Sequence, residues 1–526
     1  MDNIKISNFK ELANLCANRN PDGVAFKWIE GKDIKEITNS SFRQNIDELG
    51  TYFYYNGLKN SHIAVIGENS YEWILTYFAT VIGNNVIVPV DRDLPCDSII
   101  NVLKTSGAKA LIYTDTYKKI IDDIKKATGV KTFNVNEFDD ILSEGRALLE
   151  KGKDKYLNIE IDSNAMSTLI FTSGTTGTPK GVMLSQRNII DNACLASENV
   201  RISGTGMLVL PTHHTFGFTA SVLAVMYFGY PVAINKNLRT FLTDMQVFKP
   251  QNIFVVPMFI EAIYKKIWKT VEQKNIKPLF KAMIKASNGL RFFKIDKREK
   301  IFASVISTFG GNLELLISGG APLDPMYTDF FDAIGIKLLN GYGITECSPI
   351  VAVNPIDNPK RGSVGLVLSN SEVKIIDEDE DGNGEICVAG SSVMLGYYND
   401  PKATSEAFDD IWFKTGDIGH LDDEHYLFIS GRKKNLIILA NGKNIYPEEI
   451  EELVNRIPEV LEVVVYCEND TITAEVYTEE PEKVRDAIRE MNKDLPIYKH
   501  VKNIKFRDTE FEKTTTKKIK RATVNK

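Results

Sequence analysis

Residues 168–181 read TLIFTSGTTGTPKG, and this stretch decides the fold class. Its first half, 168–172, is an apolar run that predicts a buried strand. The loop that follows contains glycines, which permit tight turns, hydroxyl side chains, which donate hydrogen bonds, and Lys180, which adds positive charge. Backbone N–H groups in such a loop can face an anion, so the segment predicts a polyphosphate site between a strand and a helix that opens at Ser185.

The loop is not a Walker A motif. Counted from Gly174, the second glycine of that motif would fall on Pro179, and Gly181 stands where Ser or Thr should follow the lysine. A flexible, solvated surface loop is the alternative interpretation, but so constrained a segment directly after a buried strand favours a phosphate site.

Strand and helix patterns alternate on the N-terminal side of this loop. Apolar runs at 62–66, 86–90 and 109–113 predict strands. A helix is predicted between the first two, opening at Asn69 in a capping box and ending at Gly83. This β-α-β order predicts an α/β fold, with a mostly parallel sheet covered by helices.

Further strands are predicted at 253–257 and 313–318, and short β segments at 373–388 predict a smaller β subdomain. Pro447 is expected at the first position of a later helix, followed by strands at 462–466 and 473–477 and a helix at 481–495. We therefore predict a large domain over 1–433 and a small, mobile α+β domain over 434–526.

Composition narrows the function classes. The chain has 526 residues, which is long enough for two or more folding units. Its formal net charge of -7 suggests neither a nucleic-acid partner nor an anionic membrane surface. The six cysteines form no CxxC pair, and no apolar run is long enough to span a bilayer. The N-terminus has no signal-peptide pattern, so a cytoplasmic location without a transmembrane segment is expected.

The loop at 172–181 resembles the signature loop of the adenylate-forming superfamily, which includes acyl-CoA synthetases, adenylation domains and beetle luciferases. The resemblance extends over nearly the whole chain with motifs in the family's order. It implies ATP, Mg²⁺ and coenzyme A as cofactor and co-substrates. The loop residues expected to bind ATP are Thr172, Ser173, Gly174, Thr175, Thr176, Gly177 and Lys180.

Three further motifs of the large domain resemble the family. The resemblance places His214, in PTHHTFGF (211–218), beside the substrate carboxylate, although a buried histidine without chemistry is equally consistent with the residue alone. The turn SGGAPL (318–323) implies contact of Gly320, Ala321 and Pro322 with adenine and the acyl pocket. A plain strand-to-helix turn is the alternative there.

The third of these motifs is NGYGITE (340–346), predicted to follow a short strand at 337–339. By the resemblance, Tyr342 stacks on adenine, Thr345 contacts the α-phosphate and Glu346 helps to hold magnesium, together with Thr175. Carboxylate oxygen suits a hard cation. The nucleotide-binding residues implied within the motif are Asn340, Gly341, Tyr342 and Gly343.

The remaining motifs belong to the end of the large domain and to the small one. Asp417 and Arg432 resemble the ribose-binding pair, although an ion pair or surface turn would explain either residue alone. Lys434 matches the hinge and Gly442 the loop at the pantetheine tunnel. In the basic tail, Lys518 is favoured over Lys517 as the catalytic lysine of the family.

These parts predict an AMP-forming acid–thiol ligase that activates a carboxylic acid, with a fatty acid favoured because 310–323 is similar to long-chain enzymes. Transfer to a separate acyl carrier protein, or an aryl or amino acid as substrate, remain alternatives. A non-catalytic nucleotide-binding protein is the competing class. An assay for ATP–pyrophosphate exchange separates an enzyme from such a binder.

Overall fold

The computed structural model describes residues 4–172, 179–440, 443–513 and 519–524. Spatial contacts divide the chain into two compact units. Unit 1 comprises Met1–Glu372 and Ala389–Ile411, and unit 2 comprises Val373–Val388 and Trp412–Lys526. The β-rich segment 373–388 thus belongs to the same unit as the C-terminal part of the chain. The division at 433/434, with a hinge at Lys434, stays a prediction.

The helices in the described residues are α1 (Phe9–Arg19), α2 (Asn39–Tyr55), α3 (Tyr71–Ile82), α4 (Cys96–Ser106), α5 (Ile121–Thr128), α6 (Phe138–Glu150), α7 (Gln186–Asn199), α8 (Thr215–Phe218), α9 (Val225–Tyr227), α10 (Phe241–Phe248), α11 (Pro257–Gln273), α12 (Lys277–Phe292), α13 (Arg298–Ile301), α14 (Ala303–Ile306), α15 (Pro325–Ala333), α16 (Pro401–Ala407), α17 (Pro447–Asn455) and α18 (Pro481–Asn492).

The strands are β1 (Val24–Glu30), β2 (Asp33–Thr38), β3 (His62–Ile66), β4 (Val86–Pro89), β5 (Ala110–Tyr113), β6 (Lys131–Asn134), β7 (Met166–Thr172), β8 (Lys180–Ser185), β9 (Gly206–Leu208), β10 (Val232–Ile234), β11 (Asn252–Val255), β12 (Leu315–Ser318), β13 (Lys337–Gly343), β14 (Ile350–Val353), β15 (Gly365–Val367), β16 (Ser371–Ile376), β17 (Gly384–Gly390), β18 (Gly396–Tyr397), β19 (Phe408–Asp409), β20 (Trp412–Leu421), β21 (Tyr426–Arg432), β22 (Ile437–Ile438), β23 (Asn444–Ile445), β24 (Glu462–Glu468), β25 (Thr471–Tyr477) and β26 (Asn503–Arg507).

One sheet of unit 1 has the strand order β18-β8-β7-β4-β3-β5-β6. Strand β3 pairs in parallel with β4 and β5, and β5 pairs in parallel with β6. The predicted β-α-β arrangement is therefore confirmed. Every residue of α3 except Glu72 is buried, so this helix is packed against the rest of the protein on nearly all sides.

The start of α3 differs from the prediction by one residue. Ser70, not Asn69, is the N-cap, and its side chain accepts a hydrogen bond from Trp73 N. The Asn69 side chain makes tertiary bonds instead: Nδ2 donates to Leu210 O at 3.0 Å, and Oδ1 accepts from Thr212 N at 3.0 Å. Both residues favour N-caps, so the sequence alone did not separate them.

After the predicted phosphate loop the structure has a strand that was not predicted, followed by the helix that opens at Ser185 as predicted. Lys180 begins the strand β8, which pairs antiparallel with β7. Thr172, the last residue of β7, lies opposite Lys180. Helix α7 follows, with Ser185 as its N-cap in a capping box with Asn188. The loop therefore joins two strands of a hairpin, which fixes both of its ends in the sheet.

The second sheet of unit 1 has the order β15-β14-β13-β12-β11-β9-β10-β1-β2. Strands β11, β12 and β13 are parallel neighbours, and β13 turns back antiparallel into β14. The strand expected at 253–257 ends at Val255, because Pro257 is at the start of α11. The strand expected at 337–339 continues to Gly343, so the first four of the seven residues of the NGYGITE motif are in β13.

Unit 2 contains antiparallel pairs of β17 with β20 and β20 with β21, and a three-stranded sheet in the order β24-β25-β26. Pro447 lies in the first turn of α17 as predicted, with Glu448 and Glu449 beside it. Buried aliphatic side chains form a core between the strands of this sheet and the helices α17 and α18. Within the described part of the chain, no helix of either unit is long and apolar enough to cross a membrane.

Candidate active site

A lysine, a tyrosine and a glutamate come together in unit 1. The Nζ of Lys180 lies 4.8 Å from the ring centroid of Tyr397. The hydroxyl of Tyr397 donates to Oε1 of Glu346 at 3.1 Å. One phenol ring therefore stands between a cation and a carboxylate, which is an arrangement that can hold a phosphate on one side and a metal ion on the other.

Strand pairing explains how three distant positions meet. Tyr397 lies opposite Val182 in the β18–β8 pair, and Lys180 begins β8. Glu346 belongs to the short 3₁₀ turn Thr345–Cys347 after β13, and its carbonyl accepts from Met394 N at 2.8 Å. This hydrogen bond and the one from the Tyr397 hydroxyl to Glu346 tie the NGYGITE motif to the segment that carries Tyr397.

Tyr397 was not singled out from the sequence. Burial, and after it the negative charge of Glu346, raises the pKa of the Tyr397 hydroxyl. The hydroxyl therefore keeps its proton near neutral pH and remains a donor to Glu346. Because 51 residues separate the two along the chain, neither spacing nor composition pointed to the contact.

Glycine is required where β13 turns toward Glu346. A Cβ on Gly343 would collide with the carbonyl oxygen of Pro349. Ile344 N donates to that same carbonyl at 2.9 Å, which closes the turn. The tight approach of the two segments fixes the direction of the Thr345–Cys347 turn and with it the Glu346 side chain.

Two buried polar atoms belong to neighbouring positions at the end of β12 and in the middle of β13. Ser318 and Asn340 are opposite residues in this parallel pair. Neither the Ser318 Oγ nor the Asn340 Oδ1 has a hydrogen-bond partner among the described residues. Because unpaired buried polar atoms are costly, they point to a ligand with complementary polar groups.

The structure brings the predicted acyl-pocket motifs together. A Cβ on Gly319 would be 3.1 Å from the ring of Phe216, so the backbone of the SGGAPL turn lies against the PTHHTFGF segment. Gly320 has φ +81°, a left-handed conformation that favours glycine. Ala321 and Pro322 follow and are exposed.

The two adjacent histidines are placed differently. His214 is half-buried and is the N-terminal flanking residue of α8. His213 is 5% exposed, and its Nε2 lies 3.2 Å from Oδ1 of Asp91. This is an ion-pair distance without hydrogen-bond geometry. The ring centroids of the two histidines are 4.2 Å apart. The role of His214 beside the substrate carboxylate stays a prediction.

In unit 2, Asp417 and Arg432 lie opposite each other on β20 and β21. Nε of Arg432 is 2.7 Å from Oδ1 of Asp417, and the Asp417 side chain is 5% exposed against 43% for Arg432. Asp417 N also donates to Thr415 Oγ1 at 3.0 Å. The ion-pair alternative is therefore observed, and it holds a carboxylate in a fixed orientation.

Lys434 lies in the short 3₁₀ turn Lys433–Asn435. Burial, then the charges of Arg432 and Arg521, lowers the pKa of Lys434. Asn435 Nδ2 donates to Glu448 Oε1 at 2.6 Å, which ties this turn to α17. These contacts are internal to unit 2.

Several predicted residues lie outside the described part of the chain: Ser173, Gly174, Thr175, Thr176, Gly177, Gly442, Lys517 and Lys518. Arg521, from the same basic tail, is described. Its guanidinium donates to Val465 O at 3.1 Å and pairs with the carboxylate of Glu451.

Comparison with known proteins agrees with this arrangement. A family model described as AMP-binding enzyme matches residues 14–398. The long-chain-fatty-acid–CoA ligase FadD15 of Mycobacterium bovis is 28% identical over 80% of this chain and 73% of its own. The long-chain-fatty-acid–CoA ligase 5 of Rattus norvegicus is 29% identical over 86% of this chain and 71% of its own.

Solved structures share the fold. The anthranilate CoA ligase AuaEII in complex with anthranoyl-AMP has a TM-score of 0.80 at 18% identity, covering 100% of this chain and 98% of that one. The o-succinylbenzoate coenzyme A synthetase from Bacillus subtilis, in complex with ATP and magnesium ion, has a TM-score of 0.75 at 22% identity, covering 98% and 99%. The predicted resemblance, fold class and enzyme class, an AMP-forming acid–thiol ligase, are confirmed by these matches and the curated relatives.

Proposed function

The chain belongs to the AMP-binding enzyme family, and from this premise we propose that it uses ATP to convert a fatty acid to an acyl-adenylate and then to acyl-CoA, releasing pyrophosphate and AMP. The observation that supports this most is the Lys180–Tyr397–Glu346 cluster. It combines a cation for phosphate oxygens with a carboxylate for a metal ion.

The donor set fits magnesium. In the described part of the chain no lysine or arginine lies within ion-pair distance of Glu346, and its side chain accepts a hydrogen bond from the Tyr397 hydroxyl. Carboxylate oxygens not committed to a cation suit Mg²⁺, and Thr175 is proposed as a second ligand. When bound, the ion offsets the charge of the ATP phosphates. Lys180 does the same from the opposite side of the phenol ring.

The nucleotide has matching partners. Asn340 Oδ1 is a buried acceptor that can receive a hydrogen bond from an adenine amino group, and Ser318 Oγ lies on the neighbouring strand. We propose that Tyr342 stacks on the base and that Asp417, oriented by Arg432, accepts from the ribose hydroxyls.

The first half-reaction joins two anions. The carboxylate oxygen of the acid attacks the α-phosphorus of ATP, the bond to the bridging oxygen of the β-phosphate breaks, and pyrophosphate leaves with that electron pair. Positive charge preorganised around the phosphates favours this step. We propose that Lys518 supplies it between the two anions, that Thr345 contacts the α-phosphate, and that His214 lies beside the acid.

The second half-reaction transfers the acyl group to a thiol. The thiolate of coenzyme A attacks the acyl carbonyl, and AMP leaves with the electrons of the broken mixed-anhydride bond. We propose that a mobile domain over 434–526 turns about Lys434 and presents Gly442 to the pantetheine arm.

Support for an aliphatic substrate comes from the curated relatives, which are named as long-chain-fatty-acid–CoA ligases. The proposed acyl pocket begins where the Gly319 turn lies against Phe216, whose ring is 6.2 Å from that of Phe254. Aromatic walls and a glycine turn accept an alkyl chain without polar partners. A cytoplasmic location is proposed with this activity.

Substrate and acceptor can be tested together by supplying acids of increasing chain length, with an aryl acid and amino acids as comparison, and either coenzyme A or a phosphopantetheine-loaded carrier protein. We expect AMP and acyl-CoA with fatty acids. Acyl-carrier product with no acyl-CoA would replace the proposed acceptor, and preference for aryl acids would replace the proposed substrate.

A further inference from the structure

The side chain of Asn69 binds the backbone on both sides of Pro211. Asn69 follows β3 and is 3% exposed. Its Nδ2 donates to Leu210 O at 3.0 Å, and its Oδ1 accepts from Thr212 N at 3.0 Å. One buried amide therefore holds the backbone at the start of the PTHHTFGF segment.

The segment that begins at Pro211 is a tight turn. His214 N donates to Pro211 O at 3.1 Å, and Phe218 N donates to His214 O at 3.1 Å. A Cβ on Gly217 would lie 2.5 Å from Pro211 O, so the two ends of the turn are in close contact. Because these contacts leave the turn little freedom, the placement of His214 depends on how the backbone around Pro211 is held.

A second side chain from the same sheet as Asn69 lies against His213. Asp91 follows β4, and its Oδ1 accepts from Asp93 N at 2.9 Å, which fixes the carboxylate. That oxygen lies 3.2 Å from Nε2 of His213. The ring centroids of His213 and His214 are 4.2 Å apart, with the ring planes at 49°. Asp91 can therefore act on the His214 ring through the His213 ring beside it.

Both side chains come from the edge of the sheet at which the predicted phosphate loop begins. Strand β3 pairs in parallel with β4, and β4 pairs in parallel with β7. Strand β7 ends at Thr172, the first residue of that loop. The carboxyl ends of parallel strands meet at one edge, where α/β proteins bind ligands. Asn69 and Asp91 thus connect this edge to the PTHHTFGF segment, which follows β9 of the second sheet.

We propose that Asn69 and Asp91, which we call the positioning pair, hold the His214 ring in the orientation that receives the carboxylate of the acid. Neither residue touches the reactants. Asn69 acts through the backbone around Pro211, and Asp91 acts through the His213 ring. The proposal rests on the function proposed above, in which His214 lies beside the acid.

A purely structural role is the competing explanation, and the same sheet contains a control for it. Asn85 directly precedes β4 and is also buried. Its Oδ1 accepts from Ser61 N at 2.9 Å, and its Nδ2 donates to Leu58 O at 3.1 Å, so it makes the same kinds of bond as Asn69. Because Asn85 lies at the opposite, amino end of the strands, its loss should affect stability alone.

Pyrophosphate exchange measured against the concentrations of fatty acid and ATP tests the proposal. Asn69→Ala should lower kcat/KM for the acid by about 10², the scale expected for a misplaced reacting group. The KM for ATP should stay unchanged. Asn85→Ala should lower the unfolding temperature as much as Asn69→Ala does and leave kcat/KM for the acid as it is in the unaltered protein.

Asp91→Asn tests the other member of the pair with less risk to the fold, because this side chain is 18% exposed. The amide keeps an acceptor for Asp93 N and removes the charge opposite His213, so kcat/KM for the acid should fall by about tenfold. Asp93→Asn is the matched control, since it removes the same charge from an exposed position of the same segment. It should behave like the unaltered protein.

The ring signals of the histidines in NMR spectra give a measurement that does not depend on activity. In the full-length protein with isotope-labelled histidine, the His214 signal is identified by its absence from His214→Gln. Asn69→Ala and Asp91→Asn should each shift this signal. Asn85→Ala and Asp93→Asn should leave it in place.

An equal loss of kcat/KM for the acid in Asn69→Ala and Asn85→Ala would overturn the proposal, since both changes would then act through stability. A His214 signal that is unshifted in Asn69→Ala and in Asp91→Asn would also overturn it. Absence of exchange with every acid in the unaltered protein would instead remove the proposed function, and the ring signals would still decide whether the positioning pair orients His214.

Discussion

Glu346 in unit 1 and Asp417 in unit 2 are both proposed to hold part of ATP, but their surroundings differ. Glu346 receives a neutral hydroxyl at 3.1 Å, and the cation nearest to it in the cluster, Lys180, stands beyond the Tyr397 ring. Asp417 is in direct contact with Arg432 at 2.7 Å. A carboxylate without a cationic partner suits a metal ion, whereas one that is oriented by a cationic partner suits hydroxyl groups, to which it still offers a charged acceptor.

The largest expected effect is at Glu346. Glu346→Gln keeps the shape and removes the charge, so we expect the rate of adenylation to fall by about 10²–10³, as for removal of one preorganised electrostatic contact. Pyrophosphate exchange measured against magnesium concentration checks this. Glu36→Gln, on exposed strand β2, should have no effect. A Glu346→Gln enzyme with normal magnesium dependence would contradict the metal role.

The ion pair of Arg521 with Glu451 in unit 2 is expected to matter for stability more than for chemistry. Burial raises the pKa of Glu451 to about 7, and the charge of Arg521 opposes that rise. Arg521→Ala leaves Glu451 without its cation, which typically costs about 3–5 kcal/mol. Its pKa then rises further above the ordinary 4.5.

The pH dependence follows from this shift. Above the ordinary value the unfolded chain releases a proton that the folded variant retains, so the stability of the variant falls as pH rises from about 5 to 8. Thermal unfolding of Arg521→Ala at about pH 5 and about pH 8 measures this loss of stability. The double change Arg521→Ala/Glu451→Gln should regain most of the stability at pH 8. A loss that is independent of pH would rule out this ion pair as its cause.

A smaller effect is expected from Asp417→Asn. The amide keeps the size of the side chain but loses a charge-assisted acceptor, and hydrogen bonds to charged groups contribute about 1.5–3 kcal/mol. We expect the KM for ATP to rise by roughly 10–100-fold with little change in kcat. A lower kcat at unchanged KM would place Asp417 in the reaction itself and would remove the contrast with Glu346.

The smallest effect is expected from Tyr397→Phe. The ring beside Lys180 remains and only the hydrogen bond to Glu346 is lost, so the exchange rate should fall by about tenfold. Tyr398→Phe, at the next position, is the control. If Tyr397→Phe were as damaging as Glu346→Gln, the hydroxyl would contact the reactants rather than position the carboxylate.

Local patterns predicted the elements better than the contacts between them. The apolar run of β3 and the largely apolar sequence of α3 were sufficient to place both, because nearly all residues of these two elements are buried. The N-cap was missed by one residue because the use of Asn69 depends on Leu210 and Thr212, which are far along the chain.

The site was predicted motif by motif, and its connections were not. The contact of Tyr397 with Glu346 depends on the pairing of β18 with β8, which no local pattern encodes.

Acid-dependent exchange of radiolabelled pyrophosphate into ATP is the measurement that separates the proposed adenylation, with Glu346 as metal ligand, from other uses of the nucleotide. We predict exchange that requires both magnesium and a fatty acid, is strongly reduced in Glu346→Gln, and needs no coenzyme A. Nucleotide hydrolysis to ADP and phosphate, with no exchange for any carboxylic acid, would contradict the account.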